Sequence, residues 1–420
     1  MAWIVSQFGA RQHYATPRAF HRQGKLDIFY TENWAGRLRP LLLKMPGRFR
    51  AFGNRWSPDL PNNKVASFDI TTLYDILTRS RRHVSDSIEN VHAEYIREGV
   101  RFCSRVNRHL RWHRRRLPLD PAREVFYGCK SVCLETLQLM NEKGIFSIVD
   151  QADPAAVEEK IVQAEREKWY GWEAITGKVP ASYYERCRKE WEAASVVLVY
   201  SDWTKQAIVE QGVAPEKVVV VPLAYEPPAD LSPLDSRPVR DRNQPLTVLW
   251  LGSVMLRKGI PYLFQAAQLL ADRPIKFVVA GPLLISEIAK ASAPPNVEFI
   301  GRVIRGEAEK VYRSADIFVL PTLSDSFALT QVEAMANGLP VIATPRCGQV
   351  VTPGVDGYIV PTSSGEALAK AIVELDEDRE KLAAMSNAAL IKSKDFSIDA
   401  YAQRVRDIVV QRRPELAEAI

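Results

Sequence analysis

Two series of short apolar runs, each interleaved with helix-length amphipathic stretches, flank a single proline-rich segment. No other feature narrows the fold as far. The first series is Trp3-Ile-Val, Asp27-Ile-Phe-Tyr, Glu124-Val-Phe-Tyr, Phe146-Ser-Ile-Val, Val196 to Tyr200 and Val218 to Val221. The second is Val248-Leu-Trp-Leu, Lys276-Phe-Val-Val-Ala, Glu298-Phe-Ile, Ile317-Phe-Val-Leu and Pro340-Val-Ile-Ala. Between them, Glu226 to Pro245 holds five prolines among many polar residues, the composition of a linker. Strands that alternate with helices and are apolar throughout belong to parallel sheets covered on both faces. The expected fold is α/β, with two doubly wound Rossmann-like domains, 1–228 and 246–392, joined by a linker at 229–245. A last helix is expected within 393–420, capped by Ser397, with Ile398, Tyr401, Val405, Ile408 and Val409 as its apolar stripe. Ligands of such sheets bind beyond the carboxyl ends of the strands, so the cleft between the halves is the natural site.

Composition fits this picture and excludes others. With 46% hydrophobic and 25% charged residues, the chain is neither disordered nor membranous. Its longest apolar runs are strand-sized, far short of the roughly 18 residues of a spanning helix. Met1-Ala-Trp-Ile-Val-Ser lacks a charged region followed by an apolar one, so no signal peptide is expected. Five scattered cysteines make no disulfide framework; Cys129 and Cys133 are expected on one helix face, as packing groups in a reducing cytoplasm. The net charge of +6 is unevenly spread, with seven arginines and no acid between Arg101 and Arg116. Val91, Tyr95, Phe102, Val106 and Leu110 recur at helical spacing and make this the end of an amphipathic helix before Pro118. A solvated face, an anionic membrane surface met by Trp112 and the arginines, and nucleic acid all stay open. No binding motif accompanies the arginines, which argues against specific nucleic-acid recognition.

The stretch from Ile317 to Thr344 reads as strand, loop, apolar helix and strand. The helix is expected from about Ser326 to Asn337, burying Phe327, Leu329, Val332, Ala334, Met335 and Ala336. Glu333 sits in its middle, where an unpaired carboxylate would cost several kcal/mol. Asp325 stands at its mouth. One reading makes Asp325 a helix cap and gives Glu333 an internal partner. The other lets the two carboxylates grip hydroxyls of one ligand. Upstream, Gly252 and Ser253 follow a strand, and Arg257, Lys258 and Gly259 lead into a helix expected from Ile260 to Ala271. Two cations at a strand-to-helix turn suit a diphosphate. Cations and carboxylates on one sheet edge match a nucleotide diphosphate that carries a sugar.

Arg257-Lys258-Gly259, together with Ser324-Asp-Ser-Phe-Ala-Leu-Thr-Gln-Val-Glu-Ala-Met-Ala-Asn-Gly-Leu-Pro-Val-Ile342, resembles the retaining family-4 glycosyltransferases of GT-B fold, the glycosyl transferases group 1. The resemblance is strong over about 245–375 and weaker before it, where Ser201-Asp-Trp-Thr-Lys-Gln and Val218 to Pro222 still match. It implies an acceptor-binding first domain, a nucleotide-sugar-binding second domain, and a final helix crossing back to the first. It assigns Glu333 to the ribose hydroxyls, Asp325 to the transferred sugar, and Arg257 and Lys258 to the diphosphate. Gly252, Ser253, Ser326, Phe327, Ala328 and Leu329 would surround the donor, with Arg302 and Val303 after Gly301 beside the nucleobase. Gly9, Arg11, His13, Tyr14 and Asp150 would face the acceptor. Departures are visible. Asp325 stands where the family usually has Glu, Ser253 where many members have Arg, and Val149-Asp150-Gln151-Ala-Asp153 lacks the family's histidine.

A transfer of this kind turns on stabilising the departing diphosphate, which Arg257, Lys258 and backbone amides can do without a metal or cofactor. The only Asp-x-Asp spelling, Asp376-Glu-Asp378, lies in a charged stretch expected to be helical surface. The expected function is thus hexose transfer from a nucleotide diphosphate sugar to a sugar, glycolipid or small-molecule acceptor. The expected location is cytoplasmic, with peripheral membrane contact through Arg101 to Arg116 left open beside a solvated face. A non-catalytic, degenerate relative and a nucleotide-sugar epimerase remain as alternatives.

Overall fold

The computed structural model describes residues 1–68, 87–113, 118–173, 177–227, 234, 236, 237, 241 and 243–418. The first sheet holds β1 (Ala2–Ser6), β2 (Leu26–Thr31), β3 (Val65–Ser67), β4 (Glu124–Cys129), β5 (Phe146–Asp150), β6 (Val196–Val199) and β7 (Val218–Val220). The second holds β8 (Leu246–Leu251), β9 (Ile275–Ala280), β10 (Val297–Gly301), β11 (Ile317–Leu320), β12 (Val341–Ala343) and β13 (Gly357–Ile359). Their orders are β3-β2-β1-β4-β5-β6-β7 and β10-β9-β8-β11-β12-β13, with parallel pairing between neighbours. Each order reverses once, between β1 and β4 and between β8 and β11, and at such reversals a crevice opens at the strands' carboxyl ends. The edge strands β3 and β13, three residues each, are absent from the sequence reading.

Among the described residues, the helices with more than six residues in the first half are α1 (Ala15–Arg22), α2 (Ile88–His113), α3 (Leu134–Glu142), α4 (Ala156–Lys168), α5 (Ala181–Ala193) and α6 (Asp202–Glu210). In the second half they are α7 (Ile260–Leu269), α8 (Arg305–Ser314), α9 (Thr330–Ala336), α10 (Gly365–Glu377), α11 (Arg379–Ser393) and α12 (Ile398–Arg412). Alternation along the strands feeds opposite faces. Trp3 and Val5 enter one apolar cluster while Ile4 enters another; Phe318 and Leu320 likewise part from Ile317 and Val319. One cluster runs from the first sheet (Val5, Phe29) through α12 (Tyr401, Val405) to β11 and α9 (Phe318, Met335), so both halves share a core. Each large apolar side chain buried there contributes roughly 1.5–3 kcal/mol.

α12 rests on α1, with Ser397 accepting the Ala400 amide as its cap. Tyr401 Oη lies 3.1 Å from Thr16 Oγ1 and 2.8 Å from Tyr127 Oη, both in the first half. The Tyr225 amide donates to Phe396 O at 2.7 Å, so the two chain crossings run side by side.

Four local expectations need correction. On α2, Val91 and Tyr95 are exposed and the first fully buried residue is Gly99; in the helix's first turns it is His92 that packs inward, 4.8 Å from Tyr183 between ring centroids. Cys129 ends β4 and Cys133 precedes α3, so they do not share a helix, although both are buried thiols. α7 stops at Leu269, two residues before Ala271. Asp378 caps α11 by accepting the Lys381 amide at 2.9 Å, so the Asp376-Glu-Asp378 spelling spans a junction between helices.

Candidate functional site

At the β8/β11 reversal two loops are pressed together by a glycine. Gly259 has φ +74, and a Cβ there would sit 1.8 Å from Pro321 O. This approach lets the Leu323 amide donate to Arg257 O at 2.9 Å. Gly252, at the end of β8, has room for a Cβ, whose nearest neighbour would be a Trp250 ring atom at 3.6 Å. The constrained residue is its partner Gly281, where a Cβ would lie 1.7 Å from Gly252 O. Ser253 follows, half-buried.

The paired loops bring the charges together. Lys258 Nζ hydrogen-bonds Asp325 Oδ2, and both side chains are largely buried. Arg257 Nη1 donates to Ser324 O at 2.9 Å and faces Glu158 Oε2 at 3.5 Å. Burial pushes the Asp325 carboxyl up, but Lys258 and Arg257 outweigh it and hold it below the usual aspartate value. For Arg257 burial works against the charge, and Glu158, Asp325 and Glu173 more than restore it.

The helix expected from Ser326 begins only at Thr330. Ala328 adopts φ +59, which interrupts helical geometry. Asp325 is therefore no helix cap; its carboxylate accepts the Phe327 amide instead. Phe327 itself is core, 5.9 Å from Phe396 between ring centroids. Ser326 Oγ accepts from Thr204 Oγ1 at 3.3 Å. Of the residues expected around the donor, Leu329 lines a cavity of about 50 Å³ together with Glu333, Tyr312, Glu309, Gln12 and His13. Glu333 Oε2 accepts from Tyr312 Oη at 2.7 Å, and burial with that carboxylate raises the Tyr312 phenol well above its ordinary value. Glu309 Oε2 is buried with no hydrogen-bond partner. Arg302 is exposed after β10, and Val303 packs half-buried against the shared core.

Across the cavity stands the loop after β1. Gly9 donates its amide to Glu32 Oε2 at 2.7 Å. Gln12, His13 and Tyr14 are consecutive left-handed residues at φ +48, +51 and +62. Each costs roughly 1–2 kcal/mol in L-residues, so the surroundings must impose the conformation. Gln7 Nε2 bonds the Gly9 and Arg11 carbonyls, and Gln12 Nε2 donates to Tyr200 Oη at 3.3 Å. Tyr14 is buried against Phe29 and Trp34, while His13 is exposed at the cavity. Beneath them Asp150 is buried, accepting from Tyr200 Oη and lying 3.8 Å from Cys129 Sγ. Burial raises the Asp150 carboxyl despite Tyr200 and Arg11. Burial opposes the Arg11 charge, but Cys129, Asp150 and Tyr200 more than offset it; its Nη1 is buried without a partner.

Among the described residues, seven non-glycines have left-handed φ: Gln12, His13, Tyr14, Ser131, Ala155, Ala328 and Ser363. Every one lies in a loop after the carboxyl end of a strand. Strain thus collects where ligands of such sheets bind.

Residues without a sequence signal close the seam between the halves. Glu158 accepts from Ser324 Oγ at 2.8 Å, Glu173 from the Leu256 amide at 2.7 Å, and Trp203 Nε1 donates to Ser324 Oγ at 3.2 Å. In sequence Glu158 looks like a solvated helix position and Glu173, beyond the end of α4, like a loop acid. No group of three or more His, Cys, Asp or Glu among the described residues could hold a metal ion.

Comparison with known proteins bears on this arrangement. Residues 234–392 match the family model described as glycosyl transferases group 1. The lipopolysaccharide core biosynthesis mannosyltransferase LpsB of Rhizobium meliloti is 34% identical over 127 residues, 29% of this chain and 36% of that one. A D-inositol 3-phosphate glycosyltransferase of Nocardioides is 29% identical over 264 residues, 54% of this chain and 56% of that one. The chain thus spans between about a third and just over half of these relatives. Among solved structures, Anabaena HepE in complex with UDP superposes with a TM-score of 0.59 at 14% identity, covering 98% of this chain and 100% of that one. Sucrose-phosphate synthase from Thermosynechococcus elongatus gives 0.60 at 16%, covering 98% and 99%. At such identities the likeness speaks to the fold. The resemblance to glycosyl transferases group 1 therefore holds over residues 234–392, and the chain as a whole has the GT-B fold.

Proposed function

We propose that this protein is a retaining glycosyltransferase that moves a hexose from a nucleotide diphosphate sugar to a sugar, glycolipid or small-molecule acceptor without a metal. The observation that carries the reading is convergence: Arg257, Lys258 and Asp325 on one sheet's carboxyl edge, and a cavity where Glu333 faces the strained loop of the other. UDP and UDP-glucose in HepE structures support a nucleotide diphosphate sugar as donor. The diphosphate would take Lys258 from Asp325 and Arg257 from Glu158, leaving Asp325 free for hydroxyls of the sugar. Glu333 would accept from the ribose. As the bond from the sugar to the diphosphate breaks, the two cations stabilise the charge that develops on the leaving group. Gly9, Arg11, His13, Tyr14 and Asp150 form the acceptor side, with His13 exposed and Asp150 fixing the floor.

Glu333→Ala is expected to weaken binding of nucleoside diphosphates about 10- to 100-fold, since a hydrogen bond to a charged group contributes about 1.5–3 kcal/mol. Glu333→Gln, which keeps an acceptor for Tyr312, should lose less and separates the ligand contact from simple destabilisation. Calorimetric titration that found unchanged affinity in both variants would remove the assignment.

The membrane part of the reading rests on α2, which exposes Arg101, Arg108, Arg111 and, at 67%, Trp112. Arg114, Arg115 and Arg116 lie outside the described residues. No helix among the described residues is long and apolar enough to cross a membrane. Co-sedimentation with anionic vesicles is expected at low salt, decreasing as salt screens surface charge within about 10 Å at 0.1 M. Arg108→Glu with Arg111→Glu should abolish it; equal recovery with neutral vesicles would leave the arginines as a solvated face.

A further inference from the structure

α4 belongs to the first half by sequence but reaches the charged loops of the second. It packs on the turn Leu256–Lys258, where Glu158 accepts from Ser324 Oγ at 2.8 Å and faces Arg257 Nη1 at 3.5 Å. Glu165 accepts from Tyr262 Oη of α7 at 2.7 Å, and Lys168 Nζ donates to the same oxygen at 3.0 Å. Past α4 the chain bends at Gly171, whose φ is +81. Trp172 then lands on the second half's own apolar cluster, 5.8 Å from Phe264 between ring centroids. Its carbonyl accepts the Ser286 amide at 2.7 Å. Glu173 Oε1 accepts the Leu256 amide at 2.7 Å, while Arg166 holds Oε2 at 2.9 Å. This packing strands two donors of the segment: among the described residues, Arg166 Nη1 and Trp169 Nε1 are buried with no hydrogen-bond partner. A buried N–H left unpaired is costly, and more so on a charged group.

We propose that residues 158–173 form an autoinhibitory strap, whose carboxylates hold the place of a diphosphate on the Arg257 loop until that ligand displaces them. The inference rests on the donor reading of the loop and adds its regulation. Glu158 and Glu173 occupy a guanidinium and a backbone amide, groups that meet a carboxylate or a phosphate oxygen through the same charge-assisted hydrogen bond. The Leu256 amide has one hydrogen and cannot serve both at once. A permanent interface would satisfy its buried donors, as nearly all native interiors do. Release of the strap returns Arg166 Nη1 and Trp169 Nε1 to water. Trp172 and Tyr262 set how firmly the strap is held, and Gly171 is the joint at which it turns. The fraction of molecules with the strap released scales the apparent affinity. Weakening the strap therefore tightens diphosphate binding, the opposite of losing a ligand contact.

The test is calorimetric titration of the full chain with UDP, GDP and ADP, joined by hydrogen exchange of the wild type. For whichever diphosphate binds, Glu173→Gln and Trp172→Ala should each bind at least about fivefold more tightly than the wild type. Trp172→Ala removes a half-buried side chain and keeps the test valid where Glu173→Gln fails to fold. In the wild type, saturating diphosphate should speed exchange across residues 165–173 and at the Ser286 amide. Variants that bind as the wild type does, or more weakly, overturn the strap, and so does exchange that stays level or slows. Both of those results leave the donor reading standing. Absence of binding with all three diphosphates, in wild type and variants alike, overturns the strap together with that reading.

Discussion

Gly259→Ala is expected to melt about 10 °C lower than the wild type and to show no measurable affinity for nucleoside diphosphates. The left-handed backbone alone costs an alanine roughly 1–2 kcal/mol. The new Cβ would also stand 1.8 Å from Pro321 O and 2.6 Å from Pro321 C, both backbone atoms, so only separation of the two loops can relieve it. Several kcal/mol of damage at about 2–4 °C each gives the expected shift. Separation also pulls Arg257 and Lys258 away from Ser324 and Asp325. Gly252→Ala serves as the control, because its Cβ would meet a Trp250 ring atom at an ordinary 3.6 Å. A Gly259→Ala protein with normal melting and normal nucleotide titration would show that the loops are less tightly coupled than their geometry requires.

Lys258→Ala and Arg257→Ala should each lower the rate of sugar transfer about 10²- to 10³-fold, the usual effect of losing one group that stabilises developing charge. Stability will respond differently from activity. Lys258→Ala leaves the Asp325 carboxylate without its ammonium, so the variant should melt lower; adding Asp325→Asn should restore melting without restoring transfer. The pH dependence follows from the same pair. A carboxyl held below its ordinary value by folding contributes stability above that value and loses it as pH falls through the folded value. The wild type should therefore lose this contribution on acidification, and the double variant should not. Equal acid profiles in melting experiments would contradict the pairing. Transfer rates within twofold of wild type would remove the cations from the chemistry.

Much of the fold was legible because apolar periodicity separates buried parallel strands from helices. β1 and β11, with residues directed into both cores, cannot be solvent-facing. Val65–Ser67 and Gly357–Ile359 escaped since three residues carry no period. Arg257, Lys258, Asp325 and Glu333 were visible as charges in apolar surroundings next to strand ends. Glu158 and Glu309 were not, because an acid on an amphipathic helix looks solvated until the partner surface is known, and Glu173, beyond the end of α4, lies in no periodic segment. The left-handed run at Gln12, His13 and Tyr14 has no glycine or asparagine to announce it; tertiary contacts impose it. Ala328 likewise delays α9, although Ser326 and Asp325 resemble a helix start.

On the donor reading proposed above, the ion pairs of the Arg257 and Asp325 loops also bear on how fast, and how selectively, a ligand is captured. Lys258 faces Asp325 and Arg257 faces Glu158 before any ligand arrives. A distant diphosphate therefore sees little net field from this loop, and electrostatic steering adds little to its encounter rate. Recognition becomes an exchange of counterions at contact. A ligand with two linked phosphates can displace both carboxylates in one event, whereas a lone monoanion competes with each pair separately. On that reading, selection for a diphosphate over single anions needs no gate.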